Sequence, residues 1–237
     1  MTAHNGVMWS RSAPPLLALA LALGWCSAPV ASAAPGCPPG GDAAPPGAAQ
    51  RVVGDLDGDG RPDTLWIAEV ATAAGGRDRL VGVSTASAAS SEVQIVTGSP
   101  VALGALAVDA QDNGAHQIIV SHGRGANLYA FAQCRIQAVV DDRGAPFVFD
   151  LENVRGTGTG VGCVDLGDGR RLAGLQALPD GDRWTVRRTA IDLDGTTARV
   201  GRSDTVTADS AQDPVVASAR TISCGDLSID QDGVHEP

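Results

Sequence analysis

The stretch that most constrains this chain is Gly54-Asp55-Leu56-Asp57-Gly58-Asp59-Gly60-Arg61-Pro62-Asp63. It puts Asp55, Asp57, Asp59 and Asp63 at positions 1, 3, 5 and 9 of a tight loop, with the Arg61 carbonyl at position 7. Calcium collects six to eight oxygens, and short carboxylates on alternate residues plus a main-chain oxygen supply them. Gly58 and Gly60 free the backbone to curl around an ion. Four carboxylates this close repel one another unless a cation lies between them. The expectation is therefore a Ca2+ site built from Asp55, Asp57, Asp59, Asp63 and the Arg61 carbonyl, the alternative being an acidic turn without an ion.

An EF-hand loop needs a bidentate Glu at position 12, where this chain has Trp66, and a dockerin loop also wants an acid there. The continuation Thr64-Leu65-Trp66-Ile67-Ala68-Glu69-Val70 is β-branched and aromatic, which reads as a strand and not as an exiting helix. A D-x-D-G-D-G-x-x-D loop running into a hydrophobic strand resembles the FG-GAP/VCBS repeat, the blade unit of integrin-type β-propellers. The resemblance is specific over residues 52–70 and implies a propeller blade with structural calcium. It also implies extracellular-type affinity, about 10⁻⁴ to 10⁻³ M, and loops that present themselves to a protein or carbohydrate ligand.

Weaker echoes follow at Asp109 and Asp165, 54 and 56 residues further along in turn. Each leads into an apolar segment, Ile118-Ile119-Val120 or Leu172-Ala173-Gly174-Leu175. A spacing of this size fits four strands plus turns. In the second echo Gln111, Asn113 and Gln117 replace the acids at positions 3, 5 and 9, and in the third Gly167 replaces the acid at position 3. Both are read as structural turns without metal. The fold expected is all-β: a small β-propeller-like array of three to four antiparallel four-stranded blades, with ring closure open to question. Apolar segments at 80–84, 93–97, 105–108, 117–121, 127–131, 136–140, 147–150, 171–178, 184–191 and 198–202 are the other strands. Gly156-Thr157-Gly158-Thr159-Gly160 reads as a flexible turn, and Asp192-Leu193-Asp194-Gly195 as a hairpin turn.

Residues 1–33 have the form of a secretory signal peptide, with Arg11 before an apolar run and Ala31-Ser32-Ala33 as the cleavage site. Lipidation at Cys26 is disfavoured by Trp25 just before it. Residues 34–50, rich in Pro, Gly and Ala, read as a disordered linker, residues 51–228 as the folded domain and 229–237 as a polar, disordered tail. Removing the leader leaves Cys37, Cys134, Cys163 and Cys224, an even set that in an exported chain implies two disulfides. Three connectivities are possible; the one expected pairs Cys134 with Cys163 between neighbouring repeats and Cys37 with Cys224 across the ends.

The chain has no lysine, and once Arg11 is removed 16 arginines face 27 acids, a net charge of −11. An acidic surface disfavours nucleic acid and anionic membrane, and no transmembrane segment follows the leader. Trp66 and Trp184 are the only tryptophans after residue 33, too few for an aromatic sugar platform. There is no H-E-x-x-H, G-x-S-x-G or Walker loop. Ser121-His122 is a poor nucleophile and base, because neighbours on a strand point to opposite faces. The reading is a monomeric, exported, calcium-binding, non-enzymatic interaction module in the medium or cell envelope. The alternatives are a secreted hydrolase on a degenerate propeller and an envelope assembly partner.

Overall fold

The computed structural model describes residues 36–151 and 158–237. The expected signal peptide and Cys26 lie outside the described residues. Three antiparallel meanders of four strands each follow one another along the chain. The first is β1 (Ala49–Val52), β2 (Thr64–Ala71), β3 (Arg77–Ser84) and β4 (Ser90–Gln94). The second is β5 (Gly104–Val108), β6 (His116–Ser121), β7 (Gly125–Ala132) and β8 (Arg135–Ala138), with β9 (Val148–Asp150) also paired to β7. The third is β10 (Gly158–Asp165), β11 (Arg170–Asp180), β12 (Arg183–Asp194) and β13 (Thr197–Ala208). Among the described residues no sheet closes on itself. The three Asp-Gly loops are equivalent in the fold: each joins the first strand of its sheet to the second.

Strand alternation explains how the sheets stack. In β5, Ala105 and Ala107 pack with Leu65, Ile67, Val81 and Val83 of the first sheet, while Leu106 and Val108 turn the other way. In β6, Ile118 and Val120 join the first side and Ile119 the second, where Leu172, Ile191 and Ala198 of the third sheet meet it. The middle sheet is thus buried on both faces, which is why β5 is apolar at every position instead of alternating. Each buried Leu, Ile or Val contributes about 1.5–3 kcal/mol.

Past β13 the chain crosses the first strands of the sheets. It runs through α1 (Pro214–Ser218), β14 (Ser223–Cys224), β15 (Leu227–Ser228), α2 (Ile229–Asp232) and β16 (Val234–His235). Ile222 bridges Val161 on β10, and the Val161 N–H donates to the Thr221 carbonyl at 2.9 Å. β16 pairs with β5 through Val234↔Ala105 and His235↔Gly104. The Arg51 guanidinium of β1 donates to the Gln231 carbonyl. Glu236 then accepts from the Arg79 Nε of β3 at 2.6 Å and from the Leu103 N–H at 2.9 Å. The segment expected to be a disordered tail is therefore a strap that satisfies strand edges otherwise left with unpaired backbone groups.

That strap also explains a glycine run misread as a turn. Gly158, Gly160 and Gly162 share one face of β10, and 158–160 is strand. A Cβ on Gly158 would lie 2.3 Å from Arg220 Cγ, and one on Gly160 would lie 2.5 Å from the Thr221 carbonyl oxygen. The glycines form a track on which residues 219–223 lie directly against the strand.

Residues 36–50 are likewise held in place. Gly40 donates to the Ala88 carbonyl at 3.1 Å and accepts from the Ser90 N–H at 2.7 Å, and 49–50 already belong to β1. The disulfides are Cys37–Cys134 and Cys163–Cys224, correcting the expected pairing. Cys134 sits in the β7–β8 turn, which packs beside β4 and the segment carrying Cys37. Cys163 on β10 is reached by Cys224 on β14, where the strap lies against that strand. Two disulfides suit an oxidising extracellular compartment. Among the described residues no helix is long and apolar enough to cross a membrane.

Candidate metal centre

The β1–β2 loop is closed at its neck by the Val53 N–H on the Asp63 carbonyl (2.8 Å) and the Asp63 N–H on the Gly54 carbonyl (3.2 Å). Gly58 and Gly60 take φ of 79° and 83°, the left-handed region that suits glycine. Asp55 accepts from three successive loop amides: Gly58 at 2.7 Å, Asp59 at 3.1 Å and Gly60 at 2.7 Å. Asp63 is 1% exposed and accepts from the Leu56 N–H at 2.7 Å and the Ala86 N–H at 2.8 Å. Asp57 reaches away from the loop, accepting from the Cys37 N–H and the Ser87 hydroxyl, each at 2.8 Å.

The result is a convergence of three carboxylates, Asp55, Asp57 and Asp63, with one oxygen of each within 4.8 Å of the others. At an effective permittivity near 20, two full charges at that spacing repel by roughly 3 kcal/mol. Asp59 is not part of the group. Its carboxylate takes the Arg61 N–H at 2.8 Å and the Arg61 Nε at 2.9 Å, leaving Arg61 an exposed guanidinium folded onto its own loop. Burial pushes the Asp63 carboxyl above its ordinary value, and the Asp57 and Asp55 charges push it further, against the two amide hydrogen bonds. Burial pushes Asp57 upward too, but there the donors at Cys37, Ser87 and Asp59 win and hold it below the ordinary value.

The two echoes use the same scaffold with different charges. Asp109 accepts from Gln111, Asn113 and Gly114 amides, as Asp55 does from its loop. Gln117, 3% exposed, accepts the Ala110 N–H at 3.1 Å, the contact Asp63 makes with Leu56. A neutral amide thus does the structural part of the position-9 task. The Arg170 guanidinium then reaches the Asp109 carbonyl and the Asp112 carboxylate, the latter at 2.7 Å. In the third loop Asp165 accepts from the Gly167 and Gly169 amides, and Arg202 docks on the Leu166 carbonyl and, at 2.8 Å, on Asp168. Each echo carries a guanidinium from outside the loop; among the described residues the first loop is met by its own Arg61, which is held by Asp59.

Sequence reasoning missed Cys37, Ala86 and Ser87, which come from the N-terminal segment and the β3–β4 turn and carry no local motif. His116 opens β6 and His122 follows it. The Ser121 hydroxyl accepts the Gly123 N–H at 3.3 Å, and the His122 carbonyl accepts the Ser99 hydroxyl at 2.6 Å. No family model, curated protein or solved structure gives a significant match to this chain.

Proposed function

We propose that this is an exported, non-enzymatic binding module of FG-GAP/VCBS type, whose first loop holds a structural Ca2+ and whose three sheets are successive propeller-like blades. The observation that carries the reading is the convergence of the Asp55, Asp57 and Asp63 carboxylates on a buried-rimmed loop. All three are hard oxygen donors of the kind Ca2+ selects. Asp59 and the Arg61 carbonyl complete the set if Asp59 releases Arg61, an exchange of one cation for another. The ion neutralises the cluster and fixes the entry to β2, so its role is to hold the blade and not to react. The face-to-face stacking of three meanders, each with its Asp loop at the same place, supports the blade reading.

Thermal unfolding with excess Ca2+ and with chelator tests this. A melting temperature that rises with Ca2+, and does not in Asp57→Asn or Asp63→Asn protein, is the expected result. No response at ten millimolar Ca2+ would remove the metal from the account.

A further inference from the structure

Among the described residues Asn113-Gly114 is the only Asn-Gly step, and Asn113, Gly114 and Ala115 are all exposed in the loop between β5 and β6. The Gly114 N–H donates to Asp109 Oδ2 at 2.8 Å, and the Ala115 N–H donates to Asn113 Oδ1 at 2.9 Å. On its other oxygen Asp109 accepts the Asn113 and Gln111 amides, at 3.1 and 3.3 Å. The carboxylate is thereby fixed against the backbone nitrogen that follows Asn113, and the side-chain carbonyl of Asn113 carries a backbone donor of its own. A Cβ on Gly114 would meet nothing within 4 Å, so the space beside that nitrogen is open.

These are the parts that ring closure onto an asparagine needs. The Gly114 nitrogen is the nucleophile, and Asp109 is placed to accept its proton. The Ala115 N–H meets the oxygen on which charge develops when the Asn113 side-chain carbon is attacked. Nucleophile and electrophile belong to adjacent residues, so no encounter has to be organised. Burial pushes the Asp109 carboxyl up, but the Gly114, Asn113 and Gln111 amides outweigh it and hold it below its ordinary value, so it is ionised at neutral pH. The charged groups around it are His116 at the start of β6, Asp112 in the same loop and Arg170 of β11, which docks on the Asp109 carbonyl and on Asp112. Asn127 on β7 has no such arrangement, because the N–H that follows it, on Leu128, donates to the Phe147 carbonyl.

We propose that Asn113 is a self-modifying site, deamidated through a succinimide with Asp109 as the base. The Gly114 nitrogen bonds to the Asn113 side-chain carbon as Asp109 takes its proton. The bond to the side-chain nitrogen then breaks, and ammonia leaves with the proton returned from Asp109. Water opens the ring to aspartate or to its isoaspartyl isomer, so the net change is one water consumed and one ammonia released. The first loop shows the aspartate product in place: Gly60 donates to Asp55 at 2.7 Å and Arg61 to Asp59 at 2.8 Å, the same two contacts with an acid where the second loop has Asn113. The modification adds a negative charge to the second loop at that position. The proposal stands on these residues alone and does not depend on a metal in the first loop.

The test is peptide mapping by mass spectrometry of the oxidised protein incubated for days between pH 5 and 8, folded and in urea. Asn113→Asp protein supplies the marker for the aspartate product. In the folded protein Asn113 is expected to convert at least about tenfold faster than in urea. The folded rate should stay nearly level across this range, because Asp109 is already ionised, whereas the rate in urea should climb with hydroxide. Asp109→Ser, checked by circular dichroism for an intact β spectrum, is expected to fall to the urea rate, and Asn127 to stay intact. The pH profile is read on wild type alone, so it decides the matter even where the variant does not fold. Equal or slower conversion in the folded protein, a folded rate that climbs with hydroxide, or an Asp109→Ser rate equal to that of wild type would overturn the proposal.

Discussion

The Asp57 carboxylate accepts a 2.8 Å hydrogen bond from the Cys37 N–H, and Cys37 is bonded through sulfur to Cys134 at the far turn of the next sheet. One carboxylate of the candidate metal loop is thereby tied to the N-terminal segment and to the second sheet. Gly36 sits so close that a Cβ there would lie 2.8 Å from Asp59 Cβ and 3.1 Å from Asp57 Oδ2. Loop, segment and disulfide form one unit.

Replacing Cys37 and Cys134 by serine therefore has two consequences. Opening a link across 97 residues costs about 4.7 kcal/mol by chain entropy. It also frees the donor on Asp57. In urea unfolding, the double-mutant cycle with Asp57→Asn is expected to show coupling of about 0.5–1 kcal/mol. Strict additivity would mean that the hydrogen bond contributes nothing to the unit.

Gly160→Ala tests the track under the strap. The added methyl would meet the Thr221 carbonyl at 2.5 Å and the Ala219 backbone at 2.9 Å, so strap and strand must separate. A loss of about 1–3 kcal/mol is expected. Gly174→Ala is the control, because its Cβ would touch only Phe149 Cδ1 at 3.9 Å, ordinary contact. Urea midpoints of the two variants should separate clearly.

Glu236 gives a pH signature. Burial alone would raise its carboxyl, but the Arg79 guanidinium and the Leu103 N–H outweigh burial and hold it below its ordinary 4.5. A depressed carboxyl contributes stability in full above its unfolded-state value and loses it as pH falls through the folded-state value. Glu236→Gln should therefore cost about 1–3 kcal/mol at pH 7, with the gap to wild type closing in acid below pH 4.5. A gap that does not change with pH would assign the loss to packing.

Arg170→Met tests whether a guanidinium supplies the positive charge of the second loop. The ion pair to Asp112 is one-third exposed on the arginine side, so screening limits it, and the contact to the Asp109 carbonyl adds to it. A loss of about 1 kcal/mol is expected. Ten millimolar Ca2+ should not restore it, because Gln111 and Gln117 offer no charge where the first loop has Asp57 and Asp63. Recovery with Ca2+ would make the second loop a metal site as well.

The sequence showed these relationships unevenly, and for physical reasons. β-branched runs such as Gln117–Ser121 mark their strands because side-chain shape and alternation are local properties. The three Asp-Gly loops were legible as echoes because each must accept several amides within a few residues, a task short side chains at fixed spacing perform. The Gly158–Gly162 strand was hidden, since a glycine run looks like a turn until the strap that needs its bare face is present. The C-terminal residues look polar and unstructured because Glu236 acts through Arg79 and Leu103, more than a hundred residues away. Cys37 and Ser87 joined the site in the same way, by tertiary approach without a motif. Asp59 was assigned with its neighbours by spacing, but Arg61, two residues on, competes for it.

The most direct test is the melting temperature of the oxidised protein at zero and ten millimolar Ca2+, beside Asp63→Asn. For a site of about 10⁻⁴ to 10⁻³ M affinity, mass action adds about 1.4–2.7 kcal/mol, an upward shift on the order of 5 °C for a chain of this size. The account predicts that shift in wild type and its absence in Asp63→Asn. An unchanged melting temperature in wild type, or an equal shift in the variant, would contradict it.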